Sequence, residues 1–295
     1  MDLSRAKTVL ICTFLILNIF LYYQILQDEG RGNTGLFGRK EEMSRLESAL
    51  QEANLFLETP LPRGGVRLAY LVVKPWHFKP EDIIVALWGV LGYEEKAFPA
   101  GNGESRFVGS NEDNVTVYHF GEYKLLVSKE GSVTLKRTRE EKLQENYSLE
   151  ESEQAVREFT GRLSFLNSFI YDYSQKKEKG TIFNYRQEYE GFPLYAGYLQ
   201  LLMKGKVPLM FSLYRLEPVG FAEQKREIIP PSTALLRFME AYKGGKEKRG
   251  IVEFSLGFYS HEYDAERWEI PPVWRIRLNN GEVYYINAFT GILEQ

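Results

Sequence analysis

Residues 115–137 read VTVYHFGEYKLLVSKEGSVTLKR, and this stretch decides the fold class. Three runs, Val115–Phe120, Tyr123–Ser128 and Ser132–Arg137, are rich in β-branched and aromatic residues. Gly121-Glu122 and Lys129-Glu130-Gly131 separate them. Short runs joined by tight glycine turns predict antiparallel hairpins. Upstream, Val66–Lys74 predicts another strand. Pro80 fits the first turn of a helix, with Ile84, Leu87, Trp88 and Leu91 on one face and Gly92 closing it. Further back, Met43, Leu46, Leu50, Ala53 and Leu57 recur at helical spacing, which predicts a helix over 41–57. Two heptads are too few for a coiled coil, so this stripe is expected to pack on the body.

Downstream the cycle repeats. Ser148 and Glu151 form a capping-box pattern. Val156, Phe159, Leu163, Leu166 and Ile170 continue the apolar stripe. Strands are expected at Thr181–Glu190, Leu194–Met203 and Val207–Pro218. A helix follows at Ser232–Tyr242, and the last strands are Gly250–Tyr263, Val273–Leu278 and Glu282–Asn287. Helices followed by antiparallel meanders predict an α+β fold. The charged stretch near 138–148 divides the body into two helix-plus-antiparallel-sheet lobes, 41–145 and 146–295.

The N-terminus has a different character. Thr8 to Leu26, TVLICTFLILNIFLYYQIL, holds no charge. A helix of that length rises roughly 28 Å, close to the hydrocarbon thickness of a bilayer. Arg5 and Lys7 precede it, whereas Asp28 and Glu29 follow. The positive-inside bias then predicts a cytoplasmic tail (1–7), a transmembrane helix (8–26), a Gly-rich tether (27–40) and an extracytoplasmic body. A cleaved signal segment is the competing reading, but the apolar run exceeds the usual ~7–15 residues and no small-x-small site follows. Asn18 lies in the middle of the span, and helical spacing sets Ile11, Phe14, Leu15, Leu21, Tyr22 and Ile25 on its face. An amide in hydrocarbon seeks a partner, so this face is the candidate contact with another membrane helix.

Composition narrows the function. The formal net charge is −3, which argues against nucleic acid as a partner. The single cysteine, Cys12, lies in the apolar run, so neither an internal disulfide nor a cysteine-rich zinc site is available. The histidines, His77, His119 and His261, are isolated. In His261-Glu262-Tyr263-Asp264 a strand would turn Glu262 and Asp264 away from His261. Gly101-Asn102-Gly103 lacks the third glycine of a phosphate loop, and no G-x-S-x-G or H-E-x-x-H occurs. The expectation is a non-catalytic protein with no cofactor and no metal.

Three segments carry a resemblance. Met1–Thr8 running into Phe14–Leu21, then Tyr189-Glu190-Gly191-Phe192-Pro193-Leu194-Tyr195, and finally Tyr284-Tyr285-Ile286-Asn287-Ala288-Phe289-Thr290-Gly291 are similar to segments of the YycI family. The resemblance implies a single-pass regulator of the essential YycG (WalK) sensor histidine kinase, which controls cell-wall metabolism in Firmicutes. It also implies action together with YycH, through transmembrane helix contacts, and it brings no catalytic residues. The alternative is a tethered module that binds a cell-wall ligand, because the C-terminal strand-turn pattern resembles PepSY-type domains.

Overall fold

The computed structural model describes residues 13–14, 17–18, 36–92, 115–128, 131–139, 147–244, 247–261 and 265–294. The chain forms two compact units: Met1–Phe56 with Tyr242–Arg249, and Leu57–Ala241 with Gly250–Gln295.

In the first unit, helix α1 spans Leu36–Glu52. It starts five residues before the predicted helix, so the end of the predicted tether is helical. It also stops early. Asn54 takes a left-handed φ of 55°, and its N–H bonds to the Gln51 carbonyl at 3.1 Å. Asparagine is one of the few residues that tolerate this conformation at a helix end. Strand β1, Leu55–Leu57, replaces the last predicted helical turn.

The second unit is built on one large sheet. Its strands are β4 (Val115–Phe120), β5 (Tyr123–Ser128), β6 (Ser132–Arg137), β7 (Phe169–Lys177), β8 (Gly180–Tyr189), β9 (Phe192–Lys204) and β10 (Val207–Tyr214). They are joined by β13 (Arg249–Phe258), β15 (Pro272–Leu278), β16 (Val283–Asn287) and β17 (Leu293–Glu294). Strand β9 is the hub. Along one edge it pairs with β8, which carries β7. Along the other it pairs with β10, and its Leu194 end meets Phe258 of β13 in parallel. The sheet therefore branches at β9 into two arms, β10-β6-β5-β4 and β13-β15-β16-β17. A smaller sheet, β11 (Leu216–Phe221), β3 (Leu71–Pro75) and β14 (Trp268–Ile270), and a pair of β12 (Arg226–Glu227) with β2 (Arg67–Leu68) complete it.

The first arm is covered by α2 (Pro80–Val90) and α3 (Leu149–Gly161). Ile83, Leu87 and Trp88 of α2 and Val156 and Phe159 of α3 share one core with Leu125, Val133, Leu135, Phe183, Leu199, Leu201 and Phe211. The predicted capping box is present: Glu151 N–H donates to Ser148 Oγ at 3.1 Å, and Ser148 N–H donates to Glu151 Oε2 at 3.2 Å. The stripe through Ile170 is a different matter. Helix α3 ends at Gly161, Leu163 and Leu166 are buried through a 3₁₀ turn at Ser164–Leu166, and Ile170 lies in β7. A 3₁₀ turn keeps the i,i+3 spacing of apolar residues, so the stripe outlasts the helix.

Val207–Pro218 is two strands rather than one. The break falls at Arg215, whose Nη1 donates to the Phe165 carbonyl at 2.8 Å and whose guanidinium lies 4.8 Å from the Trp76 ring centre. Strands on both sides of the 138–148 stretch are hydrogen-bonded together, with Leu135 of β6 opposite Phe211 of β10.

The second arm has two dissimilar faces. Phe254, Ile276 and Tyr284 lie in register across β13, β15 and β16, as do Leu256, Trp274 and Ile286. This face packs against α4 (Pro231–Ala241), with the Phe238 and Tyr284 rings 4.9 Å apart. The alternate residues make the opposite face: Glu253 beside Arg277, then Ser255, Arg275 and Tyr285 in one row. Strand alternation thus sends a charged row to one side of a sheet whose other side is core.

Candidate functional site

No helix among the described residues is long and apolar enough to cross a membrane. The expected span lies outside the described residues except for Thr13, Phe14, Leu17 and Asn18, which are helical. Ile11, Leu15, Leu21, Tyr22 and Ile25 of the expected contact face also lie outside them. Phe14 and Asn18 are described. Phe14 is 67% exposed, and Asn18 Nδ2 donates to the Phe14 carbonyl at 2.9 Å. One of the two amide hydrogens is thereby satisfied within the helix, and among the described residues the amide makes no other hydrogen bond.

The polar row of the second arm faces a cleft of about 620 Å³. Its walls include Asp172, Tyr173, Tyr185, Arg186, Tyr195, Tyr198, Tyr259, His261, Arg275 and Tyr285, with the amides of Asn184 and Gln200. Two bulges shape it. The β7–β8 register slips between Tyr171 and Tyr173, which singles out Asp172. The β8–β9 register slips between Arg186 and Gln187, so Tyr195, Ala196 and Gly197 bow out of the ladder. Bulges re-aim side chains, and these two aim a carboxylate and a phenol at the row on β15.

Two glycines beside the cleft, Gly197 and Gly257, permit close approach. A Cβ on Gly197 would stand 1.8 Å from Gln187 Oε1, and one on Gly257 would stand 2.6 Å from the Pro193 carbonyl, where the second arm joins β9. Gln187 fills the space beneath Gly197, donating to the Leu216 carbonyl at 2.9 Å and accepting from the Leu216 N–H at 2.8 Å. A side chain stands in there for the missing strand neighbour.

Arg275 is the centre of the charge network, with only 3% of its side chain exposed. It donates to Asp172 Oδ2 at 2.6 Å and Oδ1 at 3.0 Å, and to Glu253 Oε1 at 2.9 Å. Asp172 also accepts from Arg186, and Glu253 accepts from Arg277 Nε at 2.9 Å. Ser255 Oγ bonds to both Tyr195 Oη and Glu253, each at 2.8 Å. The Arg275 guanidinium lies 4.6 Å from the Tyr195 ring centre, and Tyr259 stacks on Tyr285 at 3.8 Å. Three guanidinium groups meet two carboxylates, so the network keeps one excess positive charge.

Burial works against the Arg275 charge, but its bonds to Asp172 and the surrounding anionic groups outweigh it and the group stays a guanidinium. Burial pushes the Tyr285 phenol well above its ordinary range, against the pull of Arg275. It raises Tyr195, Tyr173 and Tyr185 as well. These hydroxyls therefore stay protonated at neutral pH and both donate and accept hydrogen bonds.

Of this group the sequence draws notice to His261 as an isolated histidine and to Tyr195 and Tyr285 within the segments that carry the resemblance, and marks none of them as part of a site. His261 sits at the cleft with its ring 5.6 Å from that of Tyr259, while Glu262, Tyr263 and Asp264 lie outside the described residues. A signal was present in Val273-Trp274-Arg275-Ile276-Arg277-Leu278. Two arginines alternating with large apolar residues in a strand flanked on both sides imply buried or half-buried cations, which must have partners.

A family model described as YycI protein matches residues 38–289. Among solved structures, an uncharacterized protein from Eubacterium rectale is 13% identical with a TM-score of 0.43, over 86% of this chain and 98% of that one. The YpeB C-terminal domain of Bacillus megaterium is 16% identical with a TM-score of 0.41, over 74% of this chain and 96% of that one. Among curated proteins there is no match.

Proposed function

This chain belongs to the YycI family, and from that premise we propose that it is a membrane-anchored, extracytoplasmic regulator of the YycG (WalK) sensor histidine kinase. YycI proteins are regulators of the YycFG two-component system, and the match over 38–289 is the observation that carries the reading. The uncharged run 8–26, led by Arg5 and Lys7, supports a single span with the tail in the cytoplasm. The body then sits outside, beside a YycH-type partner, and no enzymatic step is part of the role.

Regulation through a helix requires that it contact two kinase states with different free energies. Asn18 supplies a polar group for that discrimination. Among the described residues its amide bonds only to the Phe14 carbonyl, and an interhelical hydrogen bond from such an amide contributes roughly 0.6–2 kcal/mol. The test is co-purification of the kinase and YycH from gently solubilised membranes, with wild-type protein and with Asn18→Leu. The expected result is recovery of both partners with the wild type and a several-fold loss of kinase with the variant. Equal recovery with Asn18→Leu ends the assignment of this face. Absence of both partners from the wild-type preparation ends the regulatory reading.

A further inference from the structure

We propose that the tyrosine-lined cleft between β7–β9 and β15–β16 is a binding site for a short acidic oligosaccharide. The proposal deepens the alternative reading of the body as a ligand-binding module and stands apart from kinase contact.

A volume of about 620 Å³ suits a small ligand, since such sites run roughly 300–1,000 Å³. The lining decides the chemistry. Six tyrosines line it, Tyr173, Tyr185, Tyr195, Tyr198, Tyr259 and Tyr285, giving flat apolar rings that end in hydroxyls, with Tyr195 held beneath Arg275 and one face of Tyr285 covered by Tyr259. Sugar rings have the complementary form, apolar C–H faces edged by hydroxyl groups. Asn184 and Gln200 add amides that both donate and accept, and Gln200 Nε2 donates to Asn184 Oδ1 at 3.0 Å, fixing how the pair presents itself.

Charge narrows the class further. Arg186 gives Nη1 to Asp172 and keeps 25% of its side chain exposed at the cleft. It is the guanidinium placed to receive a carboxylate, and the excess positive charge of the network favours one. A polyphosphate is a poor match, because such chains need several clustered cations and Asp172 stands here. An apolar ligand would strip water from an ionised network without replacing its hydrogen bonds. An extended peptide adds to a free strand edge, whereas the cleft is floored by the faces of paired strands.

The test is calorimetric titration of the full-length protein in lipid nanodiscs. The probes are trigalacturonic acid, its fully methyl-esterified form and pentaglutamate. Saturable binding of the acid is expected, with at least tenfold weaker binding of the ester and no saturable binding of the peptide. Arg186→Gln should bring the affinity for the acid down to that for the ester. Tyrosine nitration of the unaltered protein provides a readout that needs no variant. Trigalacturonic acid should slow modification of Tyr198 and Tyr259 while leaving Tyr171, which is 50% exposed, unaffected. Absence of saturable heat with the acid, equal binding of ester or pentaglutamate, or uniform nitration overturns the proposal. Kinase recovery is scored on separate preparations, so sugar binding without kinase recovery ends only the regulatory reading, and the converse ends only this one.

Discussion

The Asp172 carboxylate receives both terminal nitrogens of Arg275, at 2.6 and 3.0 Å, across 103 residues of sequence. Asp172 lies in the β7 bulge and Arg275 in the middle of the second arm. The pair ties the β7–β8 ribbon to that arm, beside a second tie in which Gln175 Nε2 donates to the Asn280 carbonyl at 2.7 Å. Exposure is 3% and 6% for the two charged side chains, so neither is solvated in the way a surface pair would be.

Removing one partner is therefore expected to cost more than the pair itself contributes. Asp172→Ala should destabilise by about 3 kcal/mol, the lower end of the range for breaking a buried pair, because Glu253 still accepts from Arg275. Asp172→Leu combined with Arg275→Met should recover part of that loss, since Glu253 keeps Arg277 and the one cation left without its carboxylate, Arg186, is a quarter exposed to water. Urea denaturation of the three proteins measures this. A double variant less stable than Asp172→Ala would show that the ion pair is itself a net source of stability.

Gly197 and Gln187 are coupled by space rather than by a bond. A methyl group on residue 197 would collide with the Gln187 amide, which is 2% exposed and satisfies both backbone groups of Leu216. Gly197→Ala should cost about 2 kcal/mol, the combined scale of overpacking and an unsatisfied buried polar group. In a Gln187→Ala background the same substitution should cost much less, because the obstructing atoms are gone. A double-mutant cycle by denaturation reads the difference, and additive losses would refute the coupling.

The strands of the first meander were legible because their turns are local. Gly121 and Gly131, at φ 53° and 91°, close β4–β5 and β5–β6 where the sequence places them. The capping box at Ser148 was legible for the same reason. What the sequence hid is long-range. The stripe Val156–Ile170 has helical spacing throughout, but its last residues serve a 3₁₀ turn and the start of β7, and spacing alone cannot mark that change. The break at Arg215 depends on Trp76 and Phe165, both distant in sequence. The cleft was hidden most fully, since Asp172, Arg186, Tyr195 and Arg275 meet only through two bulges and a branch at β9. Arg275 and Arg277 in an apolar strand gave the one usable warning, that partners must exist, without saying which.

Alkaline pH probes the cleft tyrosines together. Tyr173, Tyr185, Tyr195 and Tyr285 all titrate above their ordinary value of 10.0, in each case chiefly through burial. Above about pH 10 the unfolded chain has released phenolic protons that the folded chain still holds. The unfolded state then binds fewer protons, so the unfolding free energy must fall as pH rises. The stability these groups contribute is complete below pH 10 and is lost as pH climbs through the folded-state values. Each retained proton steepens the fall by about 1.4 kcal/mol per pH unit. Urea denaturation between pH 8 and 11.5 should show a flat region followed by this decline. Tyr285→Phe should make the decline shallower by about one proton, the largest share expected of any single tyrosine in the cleft because its phenol is raised furthest. Tyrosinate absorbance should rise in two phases, the later one coinciding with unfolding. A single phase centred near pH 10, with stability unchanged across it, would mean that these phenols are solvated and that the cleft is open to water throughout.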